Sequence, residues 1–164
     1  MTEPAPVPSF AAHDHAGCVA AAMAEAERRC AAEGLRFTPV RRAALAILLR
    51  GHRAMGAYAV LEALRVQGFG SQPPVAYRAL DFLVAHGFAH KVERLNAFVA
   101  CAAPGGAHAP AFLICRVCDA VAETRVPPER GALGRAAAAS GFTVEGTTVE
   151  ALGLCPDCAG GAVR

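Results

Sequence analysis

Two Cys-x-x-Cys pairs constrain this chain more than any other feature of its sequence. The first pair is Cys115 and Cys118, the second is Cys155 and Cys158, and 36 residues separate them. Two such turns can supply four thiolates to one tetrahedral zinc ion, which makes a closed, structural site. The gap exceeds the roughly 15–20 residues usual in a single zinc module, so a helix and a strand are expected to loop out between the pairs. Two pairs in similar settings argue against the alternative of a redox dithiol, which needs only one pair at a strand-to-helix junction.

The cysteine count and the absence of targeting signals favour a cytoplasmic protein. Seven cysteines are an odd number, which fits poorly with a secreted disulfide framework, whereas paired Cys-x-x-Cys in a reducing compartment indicates a metal site. No apolar run approaches the ~20 residues needed to span a membrane, and the N-terminal MTEPAPVPSF lacks a signal-peptide pattern. We therefore expect no membrane partner. Cys18 and Cys30 are interpreted as small helix thiols that are buried or half-buried.

The first part of the chain has the pattern of several helices followed by a hairpin. An Ala/Glu/Arg run over 16–33 predicts a first helix. Thr38 and Pro39 suit the N-cap and first position of a second helix. A third helix is expected over 57–67. A fourth helix opens at the prolines 73–74, because proline is tolerated only in the first turn. Its predicted inward face consists of Ala76, Leu80, Leu83 and Val84. Alternating residues on either side of a turn at 94–96 then predict a β-hairpin.

Three short helices followed by a hairpin are the organisation of a winged helix-turn-helix, whose last helix enters the major groove of DNA. On that helix, Arg78 could make a bidentate contact to guanine, and Tyr77 could touch a phosphate or a thymine methyl group. Residues 36–94 carry nine Arg or Lys against three acids, which favours an anionic partner. The alternative is an ordinary helical domain with a solvated arginine.

The second part of the chain predicts a small αβ unit. A strand, a turn that carries the first thiol pair and a second strand are expected from about residue 111. The segment PPERGALGRAAAASG predicts a helix, and the β-branched segment FTVEGTTVEALGLC predicts a further strand over 142–155. So small a unit is short of core, and a metal or a second chain is needed to stabilise it.

A second set of candidate metal ligands brackets the joint between the two units. His90 lies on the first hairpin strand, Cys101 ends the second, and Glu123 lies on the strand after the first thiol turn. With His108 from the intervening loop they make a plausible tetrahedral set for Zn²⁺, and the thiolate favours softer ions over Mn²⁺. Each residue alone also has a structural explanation: a strand histidine, a buried cysteine, a loop histidine and a surface glutamate.

Several blocks of the sequence resemble the ferric uptake regulator superfamily of bacterial metalloregulators and, within it, the zinc uptake regulators. The blocks are FTPVRRAALAIL, PPVAYRALDFLVAHGFAHKVE, FLICRVC and VEALGLCPDC, in that order over about 35–158. The chain has Val75-Ala76 where relatives usually have Thr-Val, and Val40 where glutamine is usual. The iron-sensing branch typically carries a histidine-rich run before its first Cys-x-x-Cys, whereas GGAHAPAF here has one histidine. This difference, together with Cys101, favours zinc over iron.

The resemblance implies a homodimeric, zinc-responsive repressor that binds operator DNA and controls zinc-uptake genes, with two Zn²⁺ per chain and neither catalysis nor a small-molecule substrate. By position it implies a structural zinc site at Cys115, Cys118, Cys155 and Cys158. It implies a regulatory zinc site at His90, Cys101, His108 and Glu123. It implies base-reading residues Tyr77 and Arg78, with Arg41 and Tyr58 against the DNA backbone.

The expected fold is therefore α+β, with an N-terminal winged helix-turn-helix and a small αβ dimerisation domain. The expected domains are a disordered tail over 1–15, a DNA-binding domain over 16–94, a wing end and hinge loop over 95–110, and a dimerisation domain over 111–164. Three alternatives stay open: an iron- or peroxide-sensing regulator of the same superfamily, a zinc-dependent hydrolase, and a zinc-buffering or interaction module without DNA binding. A nucleobase deaminase would need His-x-Glu and Pro-Cys-x-x-Cys, and the sequence contains neither.

Overall fold

The structure is a computed structural model that describes residues 10, 15–51, 53–104, 109–125 and 131–161. Mixed helix and sheet confirm the predicted α+β class. The helices are α1 (His15–Ala32), α2 (Pro39–Leu49), α3 (Ala57–Val66), α4 (Pro73–Ala85), α5 (Ala132–Ala139) and α6 (Pro156–Ala159). The strands are β1 (Ala89–Val92), β2 (Ala97–Ala100), β3 (Pro110–Cys115), β4 (Val121–Arg125) and β5 (Val149–Gly153). In the described part of the chain, no helix is long and apolar enough to cross a membrane.

Local sequence determines where the N-terminal helices begin and end. The Thr38 hydroxyl accepts a hydrogen bond from the backbone N–H of Arg41 at 3.5 Å, and Pro39 occupies the first turn of α2, as predicted. Gly34, which follows α1, has φ of +67°, a conformation that glycine adopts without steric penalty. Helix α4 begins at Pro73, again with proline where no intrahelical N–H is needed.

The four N-terminal helices pack around one apolar core. Ala76, Leu80 and Leu83 of α4 are buried in it, as the predicted inward face requires. Val84 is 37% exposed, so its assignment to that face was wrong. Val84 lies at the edge of the apolar stripe, where side chains on the helix begin to face solvent.

The hairpin β1–β2 forms the wing that was predicted from the alternating sequence. Its strands pair antiparallel, with His90 opposite Val99, and a 3₁₀ turn at Glu93–Leu95 connects them. Asn96 closes that turn in the left-handed conformation with φ of 45°, which asparagine tolerates better than most residues. Met55 adds an unpredicted backbone bridge to Phe98 on the other edge of β2.

The C-terminal unit is a three-stranded sheet in the order β4-β3-β5. Strand β3 pairs antiparallel with β4 and parallel with β5, and the parallel return passes through α5. The predicted strand over 142–155 was too long, because only Val149–Gly153 pairs with β3 and residues 142–148 form no regular element. Residue type alone did not show that this stretch has no neighbouring strand. The predicted helix over 127–141 is observed as α5, and prolines 127 and 128 lie outside the described residues.

A second apolar core joins the wing to the sheet. It comprises Val92, Val99, Phe112, Ile114 and Val121, with Ala54 and Leu95 packed against it. Strands of both units contribute to it, and we call it the joint core. The wing therefore rests directly on the sheet.

Candidate metal centres and nucleic-acid interface

The two Cys-x-x-Cys pairs converge on one point at the end of the C-terminal sheet. Cys115 ends β3 and Cys118 lies in the following turn, while Cys155 precedes α6 and Cys158 lies within it. The parallel pairing of β3 with β5 brings the two turns side by side, and the N–H of Arg116 donates to the carbonyl of Gly153 at 2.9 Å. The four sulfur atoms lie within 4.8 Å of one another. The residues between the two pairs form β4, α5 and β5, which explains why the spacing exceeds that of a single zinc module.

The geometry and electrostatics of this cluster suit zinc. The Sγ atoms of Cys118 and Cys155 are 3.7 Å apart, close to the ~3.8 Å edge of a tetrahedron built on Zn–S distances of about 2.3 Å. Hydrogen bonds from the backbone N–H groups of Cys155, Cys118 and Val117 lower the pKa of the Cys115 thiol to about 6. In the metal-free protein, the hydrogen bond with Cys155 and then burial raise the pKa of Cys158 to about 12. The cluster thus holds a first thiolate readily, and further ionisation needs a cation to balance the charge.

The joint between the wing and the sheet holds a second cluster, which we call the hinge cluster: His90, Cys101 and Glu123. A carboxylate oxygen of Glu123 lies 3.3 Å from Nε2 of His90 and 4.0 Å from Sγ of Cys101. The ligand atoms of all three residues lie within 4.8 Å of one another. Because β1 and the end of β2 carry two of them and β4 carries the third, the cluster connects the two units.

The environment of Glu123 indicates a cation at the hinge cluster. Glu123 is only 9% exposed, and it is the one buried charged residue in the described ranges. Its second carboxylate oxygen accepts a hydrogen bond of 2.8 Å from the N–H of Ala102. A buried carboxylate is unfavourable unless charge balances it, and an imidazole, a thiolate and a carboxylate are a donor set that Zn²⁺ accepts.

His108, the fourth predicted hinge ligand, lies outside the described residues. The structure therefore brings together three of the four residues of that predicted set. All four residues of the predicted cysteine set come together.

A cavity of about 290 Å³ lies beside the hinge cluster, between it and helix α1. Its lining includes Cys18 and Leu48 from the helices, and Cys101 and Glu123 from the cluster. The cluster therefore borders open space on this side.

The predicted base-reading residues lie on the exposed face of α4. Tyr77 and Arg78 are both exposed, whereas their neighbours Ala76 and Ala79 are buried in the helical core. This alternation is what a helix needs to pack on its own domain with one face and to meet DNA with the other. Tyr58, at the start of α3, is also exposed.

Arg41 is held against its own domain instead of extending into solvent. Its guanidinium lies 3.8 Å from the ring centroid of Phe82 and donates a 2.5 Å hydrogen bond to the carbonyl of Arg36. Such a cation–π contact restrains the side chain. The guanidinium of Arg41 is therefore ordered by contacts within the chain.

Two contacts between the units have no counterpart in the predictions from the sequence. Arg53 forms a backbone bridge with Ala120 at the start of β4. The carboxylate of Glu150 on β5 accepts hydrogen bonds from the N–H groups of Glu93 and Arg94 at 2.7 and 3.0 Å. No sequence signal marks either contact, because both depend on how the wing is seated on the sheet.

The fold and these clusters together define a class of protein. A winged helix-turn-helix that is joined to a small sheet domain through metal-ligand side chains, with a four-cysteine cluster in the second unit, is the layout of the ferric uptake regulator superfamily. Its members are metal-dependent DNA-binding regulators.

Comparison with known proteins identifies the branch. The zinc uptake regulation protein of Escherichia coli (strain K12) is 38% identical over 137 residues, which cover 83% of this chain and 80% of the relative. The corresponding protein of Shigella flexneri gives the same values. No protein-family model matches the chain. The identity and coverage show that the chain belongs to the zinc uptake regulator family.

Solved structures agree with this assignment. A zinc uptake regulator in complex with zinc and DNA superimposes with a TM-score of 0.80 at 36% identity, over 87% of this chain and 95% of that one. The holo form of XcZur gives a TM-score of 0.72 at 39% identity, over 84% and 96% of the two chains. The apo form of XcZur gives 0.50 at the same 39% identity, over 87% and 99%.

Proposed function

We propose that this chain is a zinc-responsive transcriptional repressor. It binds operator DNA as a homodimer when its hinge site is filled, and it controls genes for zinc uptake. The observation that carries the proposal is the position of the hinge cluster, since His90 and Cys101 belong to the wing and Glu123 belongs to the sheet. Ligands from both units mean that metal binding and the relative orientation of the units are thermodynamically linked.

The contrast between two forms of XcZur supports a metal-linked orientation. The chain shares 39% identity with both forms, yet the TM-score is 0.72 for the holo form and 0.50 for the apo form. Sequence divergence is the same in both comparisons, so the difference reflects the arrangement of the chain. The wing of this structure is seated on the sheet, with the three hinge ligands already converged.

The two clusters have separate roles in the proposal, with one Zn²⁺ each. Four thiolates at Cys115, Cys118, Cys155 and Cys158 leave no open position, so that site holds the C-terminal unit together. His90, Cys101 and Glu123, with His108 as the fourth ligand, form the regulatory site. Zinc held by these residues would supply positive charge that balances the Glu123 carboxylate and the Cys101 thiolate, which would lower the free energy of the closed arrangement.

The mechanism is a shift of population between open and closed arrangements. Without metal, apolar packing and hydrogen bonds alone hold the wing on the sheet, and the open arrangement is more populated than in the zinc-loaded protein. An ion held by His90, Cys101 and Glu123 would connect the wing to β4 and favour the closed arrangement. The shift is set by the difference in zinc affinity between the two arrangements. In the dimer, the closed arrangement places the two α4 helices in successive major grooves, about 34–36 Å apart.

On DNA, helix α4 supplies the reading surface. Arg78 contacts guanine through two parallel N–H groups, and Tyr77 contacts a phosphate or a thymine methyl group. Tyr58 on α3 and the ordered guanidinium of Arg41 lie against the backbone. Val75 carries no hydroxyl where relatives usually have threonine, so this chain contacts DNA without that hydroxyl.

A homodimer is supported by the apolar surface of the C-terminal unit. Helix α5 has no buried residue, and Leu133, Phe142, Leu152 and Leu154 are all exposed. Exposed apolar side chains clustered on so small a unit indicate a surface that another chain covers. The proposed domains are a tail over 1–15, a DNA-binding domain over 16–94, a wing end and hinge loop over 95–110, and a dimerisation domain over 111–164.

The same observations weigh against the alternatives. Cys101, a buried thiol at the hinge, favours zinc over iron, and the relatives reported above are zinc uptake regulators and not iron or peroxide sensors. A hydrolase needs an open coordination position for water, which the proposed four-ligand hinge site does not leave. As a repressor, the protein acts in the cytoplasm.

The test measures DNA binding as a function of free zinc. The probe is a duplex selected from a random pool by the zinc-loaded protein. Wild type is expected to bind it at least about 100-fold more tightly with zinc than after the hinge metal is removed, which is near the upper end of typical coupling between sites. Cys101→Ser is expected to lower the zinc content from two to one per chain, to remove the zinc response and to remain a folded dimer.

Two further variants complete this design. Cys18→Ser is the matched control, because Cys18 is an exposed thiol outside both clusters, and it should behave as wild type. Cys115→Ser should lose the dimer or the fold of the C-terminal unit. Equal DNA affinity with and without hinge zinc in wild type would contradict the proposal.

A further inference from the structure

A single row of side chains on the C-terminal sheet supports the wing. Phe112 in the central strand is paired with Glu123 of β4 on one side and with Glu150 of β5 on the other. Paired residues in neighbouring strands point to the same face of a sheet. The row Glu123–Phe112–Glu150 therefore faces the wing, with the backbones of the two glutamates about 10 Å apart at two strand spacings.

Each member of the row meets a different part of the hairpin. Glu123 meets His90 and Cys101 at the end where β2 leaves the wing. Phe112 is fully buried in the joint core. Glu150 meets the turn at the opposite end of the hairpin.

The contact of Glu150 with that turn uses both of its oxygen atoms. Oε1 accepts from the N–H of Glu93 at 2.7 Å, and Oε2 accepts from the N–H of Arg94 at 3.0 Å. These two N–H groups open the 3₁₀ turn and have no partner within it, as at the start of any helix. A carboxylate that accepts two backbone N–H groups makes charge-assisted hydrogen bonds, which are stronger than neutral ones. Both carboxylate oxygens of Glu150 are thus engaged by backbone donors.

The joint core packs the hairpin on the sheet through apolar contacts that have no preferred direction, and the hinge cluster holds the end where β2 leaves the wing. Glu150 adds directional hydrogen bonds at the opposite end of the hairpin, which restrict tilting of the wing further. The orientation of the wing also sets where α4 lies, since α4 runs directly into β1 through the turn at Gly87 and Phe88.

We infer that Glu150 is a second, metal-independent clasp between the sheet and the wing, and a positioning residue for operator binding. The expected effect on DNA binding rests on the proposed function, whereas the contact between Glu150 and the turn does not depend on it. Glu150 contacts neither metal nor DNA in this scheme. It acts through the turn that it holds.

The first arm of the test measures hydrogen exchange of individual backbone amides by NMR in the full-length, zinc-loaded protein. In Glu150→Ala, the amides of Glu93 and Arg94 are expected to exchange about 3- to 10-fold faster than in wild type, since both lose their acceptor. Amides of the β1–β2 ladder should keep their protection. Glu150→Gln retains one acceptor oxygen and should give an intermediate result.

The second arm measures affinity for the selected duplex at saturating zinc. Glu150→Ala is expected to bind about 5- to 10-fold more weakly than wild type, with Glu150→Gln in between. The zinc content should stay at two per chain and the melting temperature should stay close to that of wild type. A role in stability alone would lower the melting temperature without this graded loss of affinity. Glu145→Gln is the matched control, because Glu145 is an exposed carboxylate on the segment before β5.

Each outcome decides part of the inference. Unchanged exchange at Glu93 and Arg94 in the alanine variant would overturn the clasp. Faster exchange with unchanged DNA affinity would overturn the positioning role. If Glu150→Ala failed to fold, the glutamine variant would answer both questions. If wild type showed no zinc-dependent DNA binding, the proposed function would fail, while the exchange measurement would still decide whether the clasp exists.

Discussion

The seven cysteines occupy four different environments, and a thiol-reactive probe should distinguish them. Six lie in the four-cysteine cluster, in the hinge cluster or, like Cys30, in the helical core, whereas Cys18 is exposed on α1. Burial raises the pKa of Cys30 above its usual value. At pH 7–8 its reactive thiolate is therefore scarcer than that of an ordinary cysteine, and it becomes available only on unfolding.

We therefore predict one rapid modification when the zinc-loaded protein is treated with iodoacetamide at pH 7.5, located at Cys18 by mass spectrometry of peptides. Cys30 should react only in denaturant. Removal of zinc should expose Cys101 and the four-cysteine cluster to the reagent. Rapid labelling of Cys30 in the folded, zinc-loaded protein would contradict its burial.

The contact between Arg41 and Phe82 could not be predicted from the sequence. The sequence placed it against the DNA backbone by resemblance alone, and no pattern indicated its partner within the chain. In the structure, Phe82 lies under its guanidinium, although the two residues are far apart in sequence. Contacts of this kind follow from the packing of α2 against α4 and cannot be read from either helix separately.

At the scale of elements, helix α4 offers a matched pair of positions. Leu80 is fully buried, whereas Val84, one turn further along the same helix, is 37% exposed. Leu80→Ala is expected to lower the free energy of unfolding by about 2–5 kcal/mol, because it leaves a cavity in the helical core. Val84→Ala should change it by less than about 0.5 kcal/mol. Denaturant unfolding of both variants by circular dichroism is the measurement, and equal losses would contradict the observed packing.

Elements with strong local signals were predictable, and those that depend on neighbours were not. Thr38, Pro39 and the prolines that open α4 have conformational preferences that hold in any context, so the helix starts were correct. The segment 142–148 is β-branched and alternating in sequence, yet it is not a strand, because strand formation needs a partner edge. The short helix α6 was missed for a different reason: it is a single turn that starts at Pro156, and a pattern of one turn has no periodicity.

At the scale of the whole molecule, the exposed apolar surface of the C-terminal unit predicts its assembly. Phe142 is 67% exposed beside α5, and its side chain has nothing to cover it in the described part of this chain. Phe142→Glu is expected to shift the zinc-loaded protein from dimer to monomer at micromolar concentration, because burying a carboxylate in an apolar interface is unfavourable.

Sedimentation velocity would measure this shift. Val66→Glu is the control, because Val66 is an equally exposed apolar residue on α3, away from that surface. A Phe142→Glu protein that remained dimeric would place the interface elsewhere.

The candidate metal ligands could be predicted from residue type and spacing. The spacing of the Cys-x-x-Cys pairs indicated one site, and the residue types of His90, Cys101 and Glu123 indicated a second. What the sequence could not reveal is the row Glu123–Phe112–Glu150, because the row exists only once β3 has taken its register with both neighbours. A shift of β3 by one residue would turn Phe112 to the other face of the sheet and remove it from between the two glutamates.

The joint core has a consequence for the lifetime of the protein. Its residues are buried only while the wing rests on the sheet: Val92, Val99, Phe112, Ile114 and Val121. In a metal-free molecule whose wing has moved off the sheet, these apolar side chains would be exposed to solvent, and the protein would be more susceptible to proteolysis and aggregation. A shortage of zinc would then lower the amount of the regulator as well as its affinity for DNA.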